Sequence, residues 1–351
     1  MKAPTIKDVA EAAGVSFSTV SLALRDDPRI AKATKAKVLE AAATLKYQRN
    51  PVFAALGSRR PGHAGHQVNI AYFDVPLFRH DVWRGVEMRG NALGYSVYRF
   101  EAGEFGSWAK AADVLYARGF AGVIFGHLPG AAEVLKKDAA SFKKLACVFT
   151  NSHDISLRHF QLHHDVFAET LLLWDHLAAH GYGRIGPAIC RMAPNHDDDT
   201  KRRMAILARQ EALPKQCRIP PFLGGVEDQV GFHEWVAKYR PDAVMGFHSG
   251  MAYWLRDAGW RIPQELGFAS LHTTDDEVPI CSGVLMEDFE TGRAAVELAD
   301  QALRHGDLGQ LRRARILVLP SGLLEGTTLS KQRSGKSHGI TNPPGKRAVR
   351  P

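Results

Sequence analysis

The sequence predicts a multi-domain protein: a small all-α domain followed by a larger, two-lobed α/β core. Residues 1–48 contain helix-like patterns joined by short turns and no strand-like run. From Val68 the pattern changes to apolar, strand-length runs that alternate with helical stretches. The chain has 351 residues, 45% of them hydrophobic and 23% charged, which suits two or three globular domains.

The first two helices are predicted by their caps and by the glycine between them. Thr5 is suited to cap the first helix, and Asp8 follows three residues later, close to a capping box. Gly14 supplies the backbone conformation that ends this helix. Ser16 then caps a second helix, Phe17 to Leu24. Both helices are short enough to be marginal in isolation, so they require a shared core.

A third helix is predicted from Thr34 to Lys46 and completes that core. The predicted core residues are Ile6, Val9, Ala10, Ala13, Val15, Val20, Ala23, Leu24, Val38, Leu39, Ala42 and Leu45. Two short helices joined at a glycine turn and braced by a third are typical of a helix-turn-helix, whose second helix enters the major groove of DNA. The alternative is a capped surface helix in an unrelated bundle.

The segment after the third helix is predicted to be a short, conditional helix. Asn50 is a good N-cap, Pro51 suits the first helical position, and Gly57 is a stop. Barely more than one turn lies between them, and it exposes Phe53 and Leu56 among flanking arginines. An apolar residue between basic ones is what a wedge into the minor groove requires.

These residues resemble a known family. TIKDVAEAAGVSFSTVSLAL and the later VLEAAATLKYQRNP are similar to the DNA-binding headpiece and hinge of the LacI (lactose repressor) family of transcriptional regulators, specifically over residues 5–56 and more weakly to about residue 329. The resemblance implies phosphate contacts for Thr5, Ser16, Thr19, Ser21, Thr34, Tyr47 and Asn50. It implies base contacts for Phe17, Ser18 and Leu22, and minor-groove insertion for Leu56, with Arg25 and Phe53 also in the DNA-binding set.

Two positions depart from the family's DNA-binding pattern. Leu22 replaces the usual arginine, which removes a guanine reader and predicts a preference for a thymine methyl group or tolerance of several bases. Phe53 replaces a smaller hinge residue and predicts a bulkier wedge.

The core is predicted to consist of two doubly wound halves with a ligand cleft between them. This matches the periplasmic-binding-protein-like core of the resembled family. The resemblance implies an effector pocket formed by Asp74, Phe78, Asp165, Arg202, Phe247, His248, His272 and Asp288. For the acidic and arginine positions, the alternative is a polar residue whose bonds are satisfied by the backbone.

The pocket departs from the family where relatives carry acids or amides. Phe247-His248 replaces an Asn-Asp pair, and Ser270 to Thr273 replaces a Gly-aromatic-Asp-Asp run. With Arg202, these histidines predict a cleft more positive than a neutral-sugar site. We therefore expect an acid-bearing effector, such as a sugar acid, that binds more tightly as the pH falls from 8 to 6. The alternatives are a neutral sugar or no ligand at all.

The charge is concentrated at the two ends of the chain. Residues 1–60 hold eleven Lys/Arg and five Asp/Glu, and residues 330–351 hold six Lys/Arg and no acid. Of the formal charge of +8, each end therefore carries +6 and the body −4. A basic, folded N-terminal module indicates a polyanionic partner. The tail, rich in Gly and Pro, is predicted to be disordered, with solvation as its simplest role.

Several motifs are predicted to carry no chemistry. The GxGxxG match from Gly181 follows a helix and precedes a strand, the reverse of a dinucleotide site. His176 and His180 are spaced i,i+4 but have no third ligand nearby in the sequence. His163 and His164 are expected to be ordinary polar neighbours of Asp165, and the run from Gly246 lacks the spacing of a nucleophile elbow. We expect no catalytic residue, no metal and no cofactor.

The favoured function is that of a sequence-specific, homodimeric DNA-binding regulator. We expect it to be a repressor that is controlled by a small molecule bound between the lobes. The dimer is implied by the resemblance, and its symmetry requires a pseudopalindromic duplex operator. The expected domains are a headpiece (1–48), hinge and linker (49–67), core (68–329) and tail (330–351). The alternative is a binding or enzymatic α/β protein with an incidental N-terminus.

Scattered cysteines and the lack of a signal peptide or membrane span predict a cytoplasmic protein associated with the nucleoid.

Overall fold

A computed structural model of the chain describes residues 6–24, 27, 29–45, 68–75, 80–128, 137–138, 140–150, 156–191, 197–273 and 281–331. The predicted hinge helix and the tail beyond residue 331 lie outside these ranges. So do seven of the proposed site residues: Thr5, Arg25, Tyr47, Asn50, Phe53, Leu56 and Phe78. The side chain of Ser21 is also outside the description. Within these ranges, no helix combines the length and apolar character that crossing a bilayer requires.

The headpiece consists of three short helices around one small core. They are α1 (Ile6–Ala13), α2 (Phe17–Ala23) and α3 (Lys32–Thr44). The buried residues are Val9, Ala10, Val20, Ala23, Val38 and Ala42, with Leu24, Ile30 and Leu45 packed around them. The prediction for Leu39 was wrong: its side chain is 55% exposed. It follows the buried Val38 directly, and adjacent helix positions point about 100° apart, so both cannot face a core this narrow.

The turn between α1 and α2 is held by two nested hydrogen bonds. The Gly14 N–H donates to the carbonyl of Glu11 (3.2 Å) and the Val15 N–H to the carbonyl of Ala10 (3.0 Å). This is a Schellman motif, which requires a left-handed residue, and Gly14 has φ +65°. The glycine therefore sets the angle at which α2 leaves α1.

The first lobe of the core is a six-stranded, wholly parallel sheet. Its strands are β1 (Val68–Asp74), β2 (Tyr95–Glu101), β3 (Phe120–Phe125), β4 (Ala146–Phe149), β5 (Phe160–His164) and β10 (Arg315–Leu319), in the order β10-β5-β4-β3-β1-β2. Helices α4 (His80–Ala92), α5 (Trp108–Ala117) and α10 (Asp288–His305) pack against it. The central strands β3 and β4 are buried along their whole length, as parallel strands covered on both faces must be.

The second lobe is a five-stranded sheet. Its strands are β6 (Ile185–Ala188), β7 (Ala243–Gly246), β8 (Gly267–Thr273), β9 (Ser282–Leu285) and β11 (Gly322–Leu324), in the order β11-β9-β8-β7-β6, with only β11 antiparallel. Its helices are α6 (Val166–Ala179), α7 (Asp197–Glu211), α8 (Gln229–Tyr239) and α9 (Gly250–Asp257), with a 3₁₀ turn at Lys215–Cys217. The predicted architecture, an α-helical headpiece followed by a two-lobed α/β core, is confirmed.

The chain passes from one lobe to the other three times: after β5, after β9 and after β10. A cluster of polar side chains connects these three passages. We call it the crossover cluster; it contains His164, Glu169, Thr291 and Ser321. His164 Nε2 lies 3.2 Å from Thr291 Oγ1, and the Ser321 hydroxyl donates to the carboxylate of Glu169. Because Thr291 Oγ1 donates its own proton to the carbonyl of Glu287 (3.0 Å), His164 Nε2 is the donor in the shared bond.

Helices α4 and α10 pack with their backbones in direct contact. A Cβ built on Gly85 would lie 2.0 Å from the carbonyl oxygen of Phe289, and one built on Gly292 would lie 2.1 Å from that of Val82. The two backbones therefore touch at a pair of facing glycines. Any side chain at either position would force the helices apart.

We expect Gly292→Ala to destabilise the protein by about 1–3 kcal/mol, although alanine is the better helix former by roughly 1 kcal/mol, because rigid backbone opposes the added methyl group. Gly225→Ala is the matched control: a Cβ there meets nothing within 4 Å, and the change should be nearly neutral. Urea unfolding of both variants measures the difference. Equal stabilities would show that the helices separate without cost.

Candidate functional site

The exposed face of α2 carries the residues predicted to read DNA. Ser16 caps the helix by accepting a hydrogen bond from the Thr19 N–H (3.1 Å), and the two hydroxyl oxygens lie 2.8 Å apart. Phe17 is 53% exposed, and Ser18 is also exposed. Leu22 is half-buried, so only part of its side chain faces outwards. The helix thus presents hydroxyl groups and an aromatic ring that the headpiece core does not use.

The start of α3 and the turn before it add charged groups. Thr34 is half-buried in the first turn of α3, between Lys32 and Lys35. Before it, Arg29 donates two hydrogen bonds to the carboxylate of Asp27 (2.9 and 2.8 Å), which holds the pKa of Asp27 far below its usual range. This arginine is engaged within the turn, whereas Lys32 is exposed at the start of α3.

In the second lobe, Arg202 on α7 is the centre of the candidate pocket. The side chain is only 2% exposed. Its Nη2 lies 2.9 Å from Nε2 of His272 at the end of β8, and its Cζ lies 5.2 Å from the centre of the Phe247 ring, just after β7. The rings of Phe247 and His272 are in turn 4.9 Å apart. The structure therefore brings these three predicted residues together at the carboxyl ends of two neighbouring strands.

The bond between Arg202 and His272 fixes the state of the imidazole. A guanidinium only donates hydrogen bonds, so Nε2 of His272 must carry a lone pair. The imidazole in this arrangement is neutral, with its proton on Nδ1. A proton added at Nε2 would break the bond and place two cations side by side.

Acidic residues that sequence reasoning missed surround Arg202. Oδ1 of Asp199 lies 3.7 Å from Nη1 of Arg202. Asp198 and Glu169 also interact electrostatically with the guanidinium. Burial lowers the pKa of Arg202, and these acids oppose the shift. Burial likewise raises the pKa of Glu169, opposed by the hydrogen bond from Ser321 and by Arg202. The sequence did contain a signal, since Asp198 and Asp199 precede Arg202 by four and three residues on one helix.

One atom of this group remains available. Nη1 of Arg202 is buried and has no hydrogen-bond partner among the described residues. The facing Asp199 carboxylate is beyond hydrogen-bond distance. A ligand oxygen would satisfy this atom.

Cys190 also lies beside Arg202, with a positive φ of 51°. Burial, with the nearby charges of Asp199 and Asp228, raises the pKa of its thiol to about 12. The thiol is therefore neutral, and the structure gives it no features of a nucleophile.

Other predicted pocket residues have local partners. Asp74, at the end of β1, accepts hydrogen bonds from the Tyr72 hydroxyl (2.9 Å) and the Val75 N–H (2.8 Å). Its pKa is raised by burial, and Arg99 acts in the opposite direction. His248 turns away from Arg202: its Nε2 lies 3.3 Å from the carbonyl of Val226, and its ring packs on Trp254.

Asp165 and Asp288 lie at two of the passages between the lobes. Asp165 is exposed and caps α6 by accepting from the Ala168 N–H (3.0 Å). Asp165 lines a cavity of about 410 Å³ together with Phe167, Met204 and Val318. Arg202, Phe247 and His272 do not line this cavity. Asp288 is buried in the first turn of α10. The structure does not place either acid beside the Arg202 group.

Comparison with known protein families gives matches to two segments of the chain. The family described as bacterial regulatory proteins, lacI family, matches residues 5–50, and a periplasmic binding protein-like domain matches residues 174–328. The maltose regulon regulatory protein MalI of Escherichia coli K12 is 30% identical over 182 residues, 52% of each chain. The aligned region thus spans about half of MalI.

Two further similarities extend over nearly the whole chain. Catabolite control protein A of Streptococcus mutans is 28% identical over 92% of this chain and 98% of its own length. The lac repressor dimer bound to operator and the anti-inducer ONPF has a TM-score of 0.56 at 20% identity, covering 94% of this chain and 100% of that one. At this identity the structural similarity shows the fold.

We expect Arg202→Met to destabilise the protein by about 3–5 kcal/mol, because it leaves a buried group of carboxylates without its cation. Adding Asp199→Asn should recover part of the loss. Arg209→Met on the same helix is the matched control: Arg209 is ion-paired with Asp175 at the surface (2.6 Å), and its loss should cost less than about 1 kcal/mol. Chemical denaturation of the three variants without ligand compares them. If both arginine variants cost the same, Arg202 is not structurally required.

Proposed function

Because the chain belongs to the lacI family of bacterial regulatory proteins, we propose that it is a transcriptional repressor that binds operator DNA as a homodimer and responds to a small molecule. It would act in the cytoplasm, on nucleoid DNA. The proteins it resembles are regulators and not enzymes, so the polar groups of the core are best interpreted as ligand-binding and structural groups.

The observation that carries the DNA-binding proposal is the exposed ring of Phe17 beside the hydroxyl of Ser18 on α2. A ring that is half exposed on a seven-residue helix contributes little to the headpiece core. In the major groove it would contact a thymine methyl group, and the hydroxyls of Ser16 and Thr19 would contact phosphates.

Dimerisation is proposed from the family and supported by exposed apolar side chains on the first lobe. Met88 on α4 and Tyr98 on β2 are 58% and 48% exposed, and these two elements pack against each other. A two-fold dimer would place two headpieces on two half-sites and so require a pseudopalindromic operator. A solved structure with the same fold is that of a lac repressor dimer bound to operator.

For the effector, the surroundings of Arg202 support a neutral sugar or sugar derivative over the acid-bearing ligand predicted from the sequence. Asp198 and Asp199 together outweigh the charge of Arg202, so this wall of the cleft is not positive. The aromatic face of Phe247 suits the apolar face of a sugar ring, and Nη1 of Arg202 suits a hydroxyl oxygen. The relative MalI is named as a regulatory protein of the maltose regulon.

Phe17→Ala should weaken binding to the specific operator by about 1–3 kcal/mol while leaving the stability of the headpiece nearly unchanged, because the ring is mostly solvated. Leu39→Ala is the matched control, an equally exposed apolar side chain on α3 (55%) with no predicted DNA contact. Fluorescence anisotropy with a selected operator and with a scrambled duplex measures both variants. Equal losses for the two variants, or no loss for Phe17→Ala, would contradict the proposed orientation of α2.

For the effector, isothermal titration calorimetry with paired neutral sugars and sugar acids should show binding of a neutral sugar. Its affinity should stay level or fall from pH 8 to pH 6, because protonating His272 at Nε2 opposes Arg202. Phe247→Leu should weaken binding by about tenfold, the scale of one aromatic contact. Tyr253→Leu, an exposed aromatic on α9, is the control. A sugar acid that binds more tightly at pH 6 would restore the interpretation drawn from the sequence.

A further inference from the structure

Three metal-ligating side chains meet on the second lobe, away from the Arg202 group. His176 and His180 lie one turn apart on α6, and Glu325 follows β11. One ligand atom from each side chain can be chosen so that all three lie within 4.8 Å of one another. The sequence predicted no metal site here because it placed no third ligand near the two histidines. The fold supplies that ligand from a distant part of the chain, through the third passage between the lobes.

One of the ligand separations is that of a tetrahedral metal site. Nε2 of His176 lies 3.3 Å from Oε1 of Glu325. Two ligands that each bind zinc at about 2.0–2.1 Å, at the tetrahedral angle, are about 3.3 Å apart. The centres of the His176 and His180 imidazole rings are 4.4 Å apart, so His180 is within reach of a metal ion bound between His176 and Glu325.

The tautomer of His180 is the one that metal ligation requires. Its Nδ1 lies 2.9 Å from the carbonyl oxygen of His176, and because a carbonyl only accepts, Nδ1 carries the proton. In the neutral imidazole the lone pair is then on Nε2. A histidine that donates its other N–H to a backbone carbonyl is the usual arrangement around zinc, since that bond orients the ring.

His176 has its Nε2 beside the carboxylate of Glu325. Its Nε2 is shielded from solvent and makes no hydrogen bond within the described part of the chain. A cation between this nitrogen and the carboxylate of Glu325 would satisfy both groups.

We propose that His176, His180 and Glu325 bind a divalent transition-metal ion, Zn²⁺ in the first place, with a fourth position open to water or an external ligand. Two imidazoles and one carboxylate are a donor set that zinc accepts and that Mg²⁺ and Ca²⁺, which prefer oxygen ligands, do not. The bound ion would tie the C-terminal half of α6 to the segment after β11, and so stabilise the second lobe. This inference does not depend on DNA binding or on the effector.

The test is titration of the chelator-treated full chain with ZnCl₂ at pH 7.5, by calorimetry and by thermal unfolding. We expect one zinc per chain at this site and a rise in Tm that EDTA reverses. Glu325→Gln and His180→Gln should each weaken binding by about tenfold or more and abolish the rise in Tm. Glu325 is largely exposed, so its replacement leaves folding intact.

Two control variants and a second metal complete the experiment. Glu297→Gln and His305→Gln change exposed residues of the same types on α10, outside the cluster, and should bind zinc as the unaltered chain does. MgCl₂ at the same concentration should produce no shift in Tm. The proposal is overturned if the unaltered chain takes up no zinc. It is also overturned if Glu325→Gln and His180→Gln bind zinc as tightly as the two controls.

Discussion

The buried charge of Arg202 is the constraint on which the second lobe and its cleft depend. A guanidinium with 2% exposure is tolerated only when opposite charges and acceptors surround it, and Asp198, Asp199 and Glu169 supply the charge. His272 supplies the acceptor and Phe247 the ring against which the group packs. The same residues that make the lobe stable thus form the wall that a ligand would contact.

This charge also reaches the passages between the lobes. Glu169, which interacts with Arg202, accepts a hydrogen bond from Ser321 at the third passage and lies 3.7 Å from His164 at the first. His164 is bonded to Thr291 just beyond the second. A ligand that draws Arg202 away from its acids would alter the charge facing Glu169, and through it the crossover cluster. Movement of one lobe against the other is how the proposed effector would act on DNA affinity.

Most of the fold was predictable from local patterns, because its central strands are continuous apolar runs and its helices have clear stops. The run Ala146–Phe149 is apolar throughout and forms the buried strand β4, and Gly14 marks the end of α1. The edge strand β2 mixes Tyr, Ser and Arg with apolar residues and was not identified, because its outer side faces solvent. Leu39 was misplaced because apolar character alone does not determine which residues face a small core.

The site was harder to predict, because its properties arise from residues far apart in the chain. The sequence suggested Arg202, Phe247 and His272, and the structure brings them together. It did not suggest that two acids one turn before Arg202 oppose its charge, which is the ground on which a neutral ligand is proposed in place of an acid-bearing one. Nor did it suggest Glu325 beside two histidines of α6, since β11 reaches that place only after the chain has passed through the other lobe.

The most direct test of the central claim is selection of duplex DNA from a random pool by the full-length chain, followed by measurement of affinity at several salt concentrations. The account predicts an enriched inverted repeat with two half-sites, bound by one dimer, with affinity that falls steeply as salt rises because both headpieces neutralise phosphates. A pool that shows no enrichment, or binding that is insensitive to salt, would contradict it.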